Sequence, residues 1–334
     1  MTPHSHATVL SLAVSLLFAA PAQADTLKKP ELDKLAAIEQ ATPSADFQAF
    51  LGAALKANPS LQSAVTAYRS KTPLAGNDLV NIGRLLGLWN RTHSQGAVLA
   101  MLEKMVELPT VRDDKVPPHQ NPAIIAFGAL VEGAARDFGL AYRNVENRIF
   151  EVELPGRGSD EFGILTHADV VPVTADEWVL DDGRRIDPFK VTRVGNLLYG
   201  RGTIDDKGSI AATLFAMKAV KESGLPIDRT IRLMIETTEE TGGDAMKYYR
   251  EKTPLPDYNI VLDSKYPAVV AEKGSGAVKV FFPAEPTGAN TTGITAMAGA
   301  AAANAVPQTA TATLRGGDLG PAAARVGAAK AGFL

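Results

Sequence analysis

The stretch Ile164–Val173, ILTHADVVPV, is an apolar run that finishes in a histidine and an aspartate two residues apart. With the residues before it, EFGILTHADVV, the run is nearly continuously apolar, as suits a central strand covered on both faces. Alternate residues of a strand face the same way. Asp169 can therefore lie on the side of His167 and hold one ring nitrogen, which leaves the other nitrogen for a metal. The chain has only five histidines, so one placed at the end of a buried strand calls for a chemical reason.

Outward from this strand, helix and strand signals alternate. RIFEVELPG, upstream, alternates as a strand does. Downstream, GRGTIDDKGSIAATLFAMKAVKESG reads as a loop and then a helix with Ile210, Leu214, Met217 and Val220 along one side. TIRLMIE is a strand, GDAMKYYREK a helix and YNIVLDS a strand. NPAIIAFGALVEGAARDFGL has an apolar helical face at Ile124, Phe127, Leu130 and Val131. The order predicts an α/β fold, a three-layer and mostly parallel sheet with helices on both faces and right-handed crossovers. Residues 25–86 read as a helical N-terminal extension with no visible chemistry. Trp89 reads as core and His93 as a structural residue.

Two end segments differ from this body. ATVLSLAVSLLFAAPAQA is an apolar stretch closing on Ala22-Gln23-Ala24, a small-residue cleavage pattern. It predicts a signal peptide over 1–24, a mature chain starting at Asp25, and an exported, periplasmic or extracellular protein. No stable membrane span is expected after processing. After Pro283 charged residues become rare and alanine supplies about a third of the chain, which reads as a low-complexity tail or as a second domain begun and not completed.

The totals narrow the chemistry. A net charge of -3 and the absence of a long Lys/Arg block give no sign of nucleic acid as a partner. The chain has no cysteine, which excludes disulfides and thiolate metal sites.

Four acidic features fall at ends of strands, where open α/β sheets bind ligands. These are His167 with Asp169, Asp205 with Asp206 in GRGTIDDKG, Glu239 with Glu240 after IRLMIE, and Asp263 after YNIVL. Each alone is weak, since strand-end aspartates are commonly turn or cap residues and glutamate pairs are commonly solvated. Together they would repel and raise one another's pKa values unless a cation were shared. Histidine and carboxylates without thiols suit zinc, with manganese or cobalt acceptable. This points to a metal-dependent hydrolase.

THADVVP, GRGTIDDKG, TEETGG and LDSKYP, in this order and spacing, resemble the motifs of the dinuclear zinc amidohydrolases and exopeptidases. That family includes carnosinase, bacterial dipeptidases, aminoacylase and succinyl-diaminopimelate desuccinylase. The resemblance covers roughly Leu86 to Val280 and leans toward the dipeptidase branch. It implies a zinc-hydrolase catalytic domain over 87–282 and a lid-like α+β segment over 283–334. It implies His167 as a ligand of one zinc, Asp169 as the carboxylate that orients it, and Asp205 as the bridge between two zincs. Glu240 would be a ligand of the second zinc, Asp263 would complete the His167 set, and Asp206 would be a non-ligand neighbour. Glu239 would be the general base for a zinc-activated water that cleaves the amide bond of a dipeptide or short peptide. An N-acyl amino acid substrate is the alternative within the family, and a non-catalytic metal-binding remnant the alternative outside it. No oligomeric state is implied.

The pattern departs from the family in two places. The family has a further metal-binding histidine late in the catalytic domain, and this sequence has none after His167. A lid histidine that holds the reacting oxygen aligns with Ala303. The expectation is an incomplete member with impaired activity, which holds one metal through His167, Asp205 and Asp263 and a second only weakly through Glu240 and Asp205.

Overall fold

The computed structural model describes residues 26–264, 269–271, 278–284, 292–299, 310–316 and 320–321. The leader over 1–24 and Ala303 lie outside the described residues.

Helices α1 (Lys29–Ala41), α2 (Phe47–Ala57) and α3 (Gln62–Arg69) pack with the first half of α4 (Gly76–Val106) around Phe47, Phe50, Leu51, Ile82 and Leu85. Asp46 caps α2 by accepting the Ala49 amide at 2.8 Å, the role its residue type favours. Trp89 packs against this cluster, and its ring lies 4.8 Å from that of His93. His93 Nε2 is 3.0 Å from the Ser44 carbonyl oxygen and 3.5 Å from the buried Glu39 carboxylate, so His93 ties these helices together in a structural role. Helix α4 is continuous through residue 86, and its second half enters the core beneath the sheet with Leu102, Met105 and Val106.

The main sheet has the order β1 (Ala141–Val145), β2 (Ile149–Leu154), β6 (Thr230–Glu236), β3 (Glu161–His167) and β7 (Tyr258–Val261). Strands β3, β6 and β7 are parallel, but β1–β2 and β2–β6 are antiparallel. The sheet is thus mixed rather than purely parallel, with β2 alone running against the other four strands. The β1–β2 reversal is local: Glu146 and Asn147 both have positive φ, 54° and 55°, which closes a tight hairpin between the two strands.

Between Ile149 and Leu154, alternate residues of β2 reach opposite faces of the sheet. Phe150 and Val152, with Leu233 and Ile235 of β6, meet α5 (Pro122–Asp137) and α6 (Lys207–Ser223). Ile149 and Met234 meet Ala245 and Tyr249 of α7 (Asp244–Arg250) on the other face. Helices therefore cover both faces, as the alternation of elements predicts. Smaller pairs are β4 (Thr192–Val194) with β5 (Leu197–Tyr199), and β8 (Gly293–Ala298) with β9 (Thr311–Arg315). The latter pair lies within the segment read as lid-like.

The connections fix where a ligand can bind. Helix α6 joins β3 to its neighbour β6, and the chain then crosses back by α7 to β7 on the far side of β3. Right-handed crossovers in opposite directions require helices on opposite faces. The chain leaves the carboxyl ends of β3 and β6 toward opposite faces, which opens a crevice between them.

Gly128 of α5 packs on the sheet so closely that an added Cβ would lie 2.4 Å from the Phe150 ring. Gly128→Ala should improve helix propensity by about 1 kcal/mol, yet overpacking the ring costs about 1–3 kcal/mol. We expect a net loss of stability in urea unfolding. An unchanged or higher midpoint would show that Phe150 has room to retreat.

Candidate metal centre

The crevice is lined by the residues singled out in the sequence. His167 ends β3 and is paired in register with Glu236 at the end of β6. The imidazole is 1% exposed. Its Nδ1 lies 2.9 Å from the Asp169 backbone oxygen and 3.5 Å from the Asp169 carboxylate. The ring is therefore held chiefly by the main chain of Asp169. The Asp169 carboxylate has a second task, accepting the backbone amides of Glu239 and Glu240, each at 3.1 Å. One buried carboxylate thus joins the end of β3 to the turn Glu239–Thr241 that follows β6.

Asp205 sits on the loop before α6, with Oδ1 2.9 Å from His167 Nε2. Asp263, two residues beyond β7, has Oδ2 3.6 Å from the same nitrogen. Gly242 and Gly243, with φ of 108° and 70°, turn the chain from the glutamate pair into α7. The chain thus brings five side chains to one place. His167, Glu239 and Asp263 offer ligand atoms within 4.8 Å of one another, and so do His167, Asp205 and Glu240. His167 belongs to both groups, one of which takes in Glu239 and the other Glu240. A cavity of about 500 Å³ opens beside Glu239 and Asp263, walled by Leu165, Met246 and Val261.

Two further buried carboxylates adjoin the centre: Asp206, read from the sequence as a non-ligand neighbour, and Glu236, not singled out in the sequence. Asp206 is fully buried and accepts the His167 amide at 3.3 Å; the peptide between Asp205 and Asp206 is cis. Glu236 is 4% exposed and accepts the Met246 amide at 3.1 Å. A carboxylate inside the apolar run IRLMIE is the sequence signal that marks Glu236.

Charge crowding sets the proton affinities in the metal-free protein. Burial lowers the pKa of His167, but the carboxylates of Asp169 and Asp205 outweigh it and push it up to about 11. His167 in turn holds Asp205 below the usual carboxylate range against burial. Burial raises Asp206 to about 6. Glu239 is raised by burial and, against the pull of His167, by Asp263, Asp169 and Asp205.

These residues fit a divalent cation. His167 Nε2 and Asp205 Oδ1 are buried and close, yet are not aligned for a hydrogen bond, and neither atom has a hydrogen-bond partner. Two ligand atoms on one tetrahedral zinc lie about 3.3 Å apart, between the 2.9 and 3.6 Å seen from Nε2 to Asp205 and Asp263. Imidazole nitrogen and carboxylate oxygen are donors that zinc, manganese and cobalt accept.

A three-layer α/β sheet with a histidine and carboxylates gathered at the carboxyl ends of its parallel strands defines the class of metal-dependent α/β hydrolases. Within it, this chain belongs to peptidase family M20/M25/M40, whose sequence pattern matches residues 163–329. The chain is 32% identical over 148 residues to a protein of Bacillus subtilis strain 168 named provisionally as a dipeptidase, YtjP; this covers 44% of the chain and 30% of the relative. It is 30% identical over 230 residues to the beta-Ala-Xaa dipeptidase of Lactobacillus delbrueckii subsp. lactis, covering 67% and 46%. The crystal structure of human carnosine dipeptidase 1 superposes with a TM-score of 0.47 at 20% identity, covering 55% of this chain and 42% of that one. The match spans 30% and 46% of the lengths of the two curated relatives.

A metal-bound histidine must be neutral. Because His167 holds its proton up to about pH 11 in the metal-free protein, metal uptake at pH 7 displaces that proton. Affinity should then rise with pH by about tenfold per unit for each proton displaced. Zinc titration calorimetry in two buffers of different ionisation enthalpy measures this directly, and uptake without proton release would show a neutral His167.

Proposed function

We propose that this chain serves zinc-dependent hydrolysis of the amide bond in dipeptides or short peptides. The observation that carries this reading is the pair of buried, unaligned atoms on His167 and Asp205, ringed by Glu239, Glu240 and Asp263 at a strand-end crevice. Membership of peptidase family M20/M25/M40 supports peptide substrates. The similarity to the beta-Ala-Xaa dipeptidase supports short ones. Up to two zinc ions would be held, with His167, Asp205, Asp263 and Glu240 as the ligand set and Asp169 orienting His167.

A bound divalent ion supplies an acidified water and a Lewis acid for the scissile carbonyl. The residues divide the remaining work. Glu239 and Glu240 are consecutive on one short turn, and their amides are tied to the same carboxylate. Two such neighbours can separate ligation from proton transfer. Glu239, whose carboxyl is pushed up, is suited to take a proton from the nucleophile and return it to the leaving amine. The cavity beside Glu239 and Asp263 has room for a small substrate.

In the zinc-loaded chain, Glu239→Gln should cut dipeptide turnover by about 100- to 10,000-fold, the range for a general base, with zinc content by elemental analysis unchanged. N-acyl amino acids are the competing substrates and should turn over more slowly than free dipeptides. A chelator should abolish turnover and added zinc restore it. Wild-type turnover by the Gln variant would remove Glu239 from the chemistry, and a chain without bound metal would sink the reading as a whole.

Export of the protein rests on the apolar leader that closes on Ala22-Gln23-Ala24. N-terminal sequencing of protein recovered from the envelope or medium of a bacterial host should begin at Asp25. Recovery of intact Met1 protein from the cytosol alone would count against export.

A further inference from the structure

Helix α4 ends at Val106, and the residues that follow run alongside the His167–Val170 stretch. The Leu108 carbonyl accepts the Lys207 ammonium at 2.7 Å and the Thr110 amide at 2.9 Å. The Thr110 hydroxyl donates to the Ala168 carbonyl at 2.6 Å, and Ala168 is the residue between His167 and Asp169. The Thr110 carbonyl accepts the Val170 amide at 3.2 Å, and Val111 bridges Val170 in parallel. Asn121 secures the far end by donating to the Val111 carbonyl at 2.9 Å. Thr110 is 1% exposed and Lys207 fully buried. Lys207 is also hemmed in by Gly202, where an added Cβ would lie 2.9 Å from the lysine Cδ and 3.1 Å from Val170.

The segment 108–111 thus grips two pieces of the centre at once. Through Thr110 it fixes the peptide whose course decides whether the Asp169 backbone oxygen reaches the His167 ring. Through Lys207 it holds the start of α6, two residues after Asp205. We propose that Thr110 and Lys207 are positioning residues of the metal centre, which set the spacing between the His167–Asp169 turn and the Asp205 loop without touching the metal. This rests on the metal-centre reading above. Outer partners of this kind commonly change metal affinity by about 10- to 100-fold.

The test uses the full chain with zinc and cobalt(II) as probes. Thr110→Val keeps the shape and removes the hydroxyl, Thr110→Ser keeps the hydroxyl, and Lys207→Met keeps the packing and removes the ammonium. At a temperature where circular dichroism shows all variants folded, Thr110→Val and Lys207→Met should weaken zinc binding by about 10- to 100-fold in competition with a chromophoric chelator. Both should also shift the visible bands of the bound cobalt. Thr110→Ser should restore affinity to within about threefold of wild type together with the wild-type spectrum. Should Thr110→Val fail to fold, Lys207→Met decides. Variants that lose only thermal stability, with affinity and cobalt spectrum unchanged, would overturn the positioning roles. A wild-type chain that takes up no cobalt would instead overturn the metal-centre reading itself.

Discussion

Negative charge crowded onto one edge of a sheet is the constraint around which this protein is built. Asp169, Asp205, Asp206, Glu236, Glu239, Glu240 and Asp263 all approach a single imidazole at the carboxyl ends of β3, β6 and β7. Carboxylates so placed repel one another and gain protons unless positive charge is supplied. Without a metal, part of that supply is the imidazolium of His167, held charged by Asp169 and Asp205. Only neutral imidazole is a ligand, so a bound divalent ion would have to displace that proton and take over the neutralising task. The same crowding that makes the edge unfavourable by itself suits it to a divalent cation.

Backbone direction puts the charges there. The crevice exists because the chain leaves β3 and β6 toward opposite faces, and the register of His167 with Glu236 places the two strand ends level. Main-chain groups then do much of the fine placement. The Asp169 carbonyl takes one ring nitrogen of His167, the Asp206 carboxylate takes the His167 amide, and the Asp169 carboxylate takes the amides of both glutamates. Contacts of this kind fix ligand direction more tightly than long side chains could, because each involves short links to rigid elements.

The parts of this arrangement legible in the sequence are those with a strong period or an unusual residue type. The apolar run EFGILTH could only be a covered strand, the spacing of Ile210, Leu214 and Met217 marks the buried face of α6, and a histidine beside it with paired acids at later strand ends marks the centre. What was hidden depends on partners that hydrophobic period does not encode. AYRNV forms β1 as a half-exposed edge strand with no apolar alternation. The reversal from β1 to β2 turns on two positive-φ residues, Glu146 and Asn147; Asn147 favours that region, but without a glycine beside it the turn signal is weak. Asp205 and Asp206 are identical neighbours in the sequence, and only the fold buries one completely. Asp169 reads as the holder of the histidine, but its side chain chiefly holds the glutamate turn while its carbonyl holds the ring. His93 and Trp89 carried the expected packing roles because ring contacts within one helix follow from spacing.

Helix α4 has 31 residues and so measures about 46 Å at 1.5 Å per residue. One half is core to the N-terminal helices and the other half is core to the sheet. A rod that is interior to two clusters cannot be divided without opening both, so the helical layer and the sheet are mechanically one piece at this helix. Recombination that swapped the α/β portion at residue 86 would carry half a rod into a host with nothing to seat it.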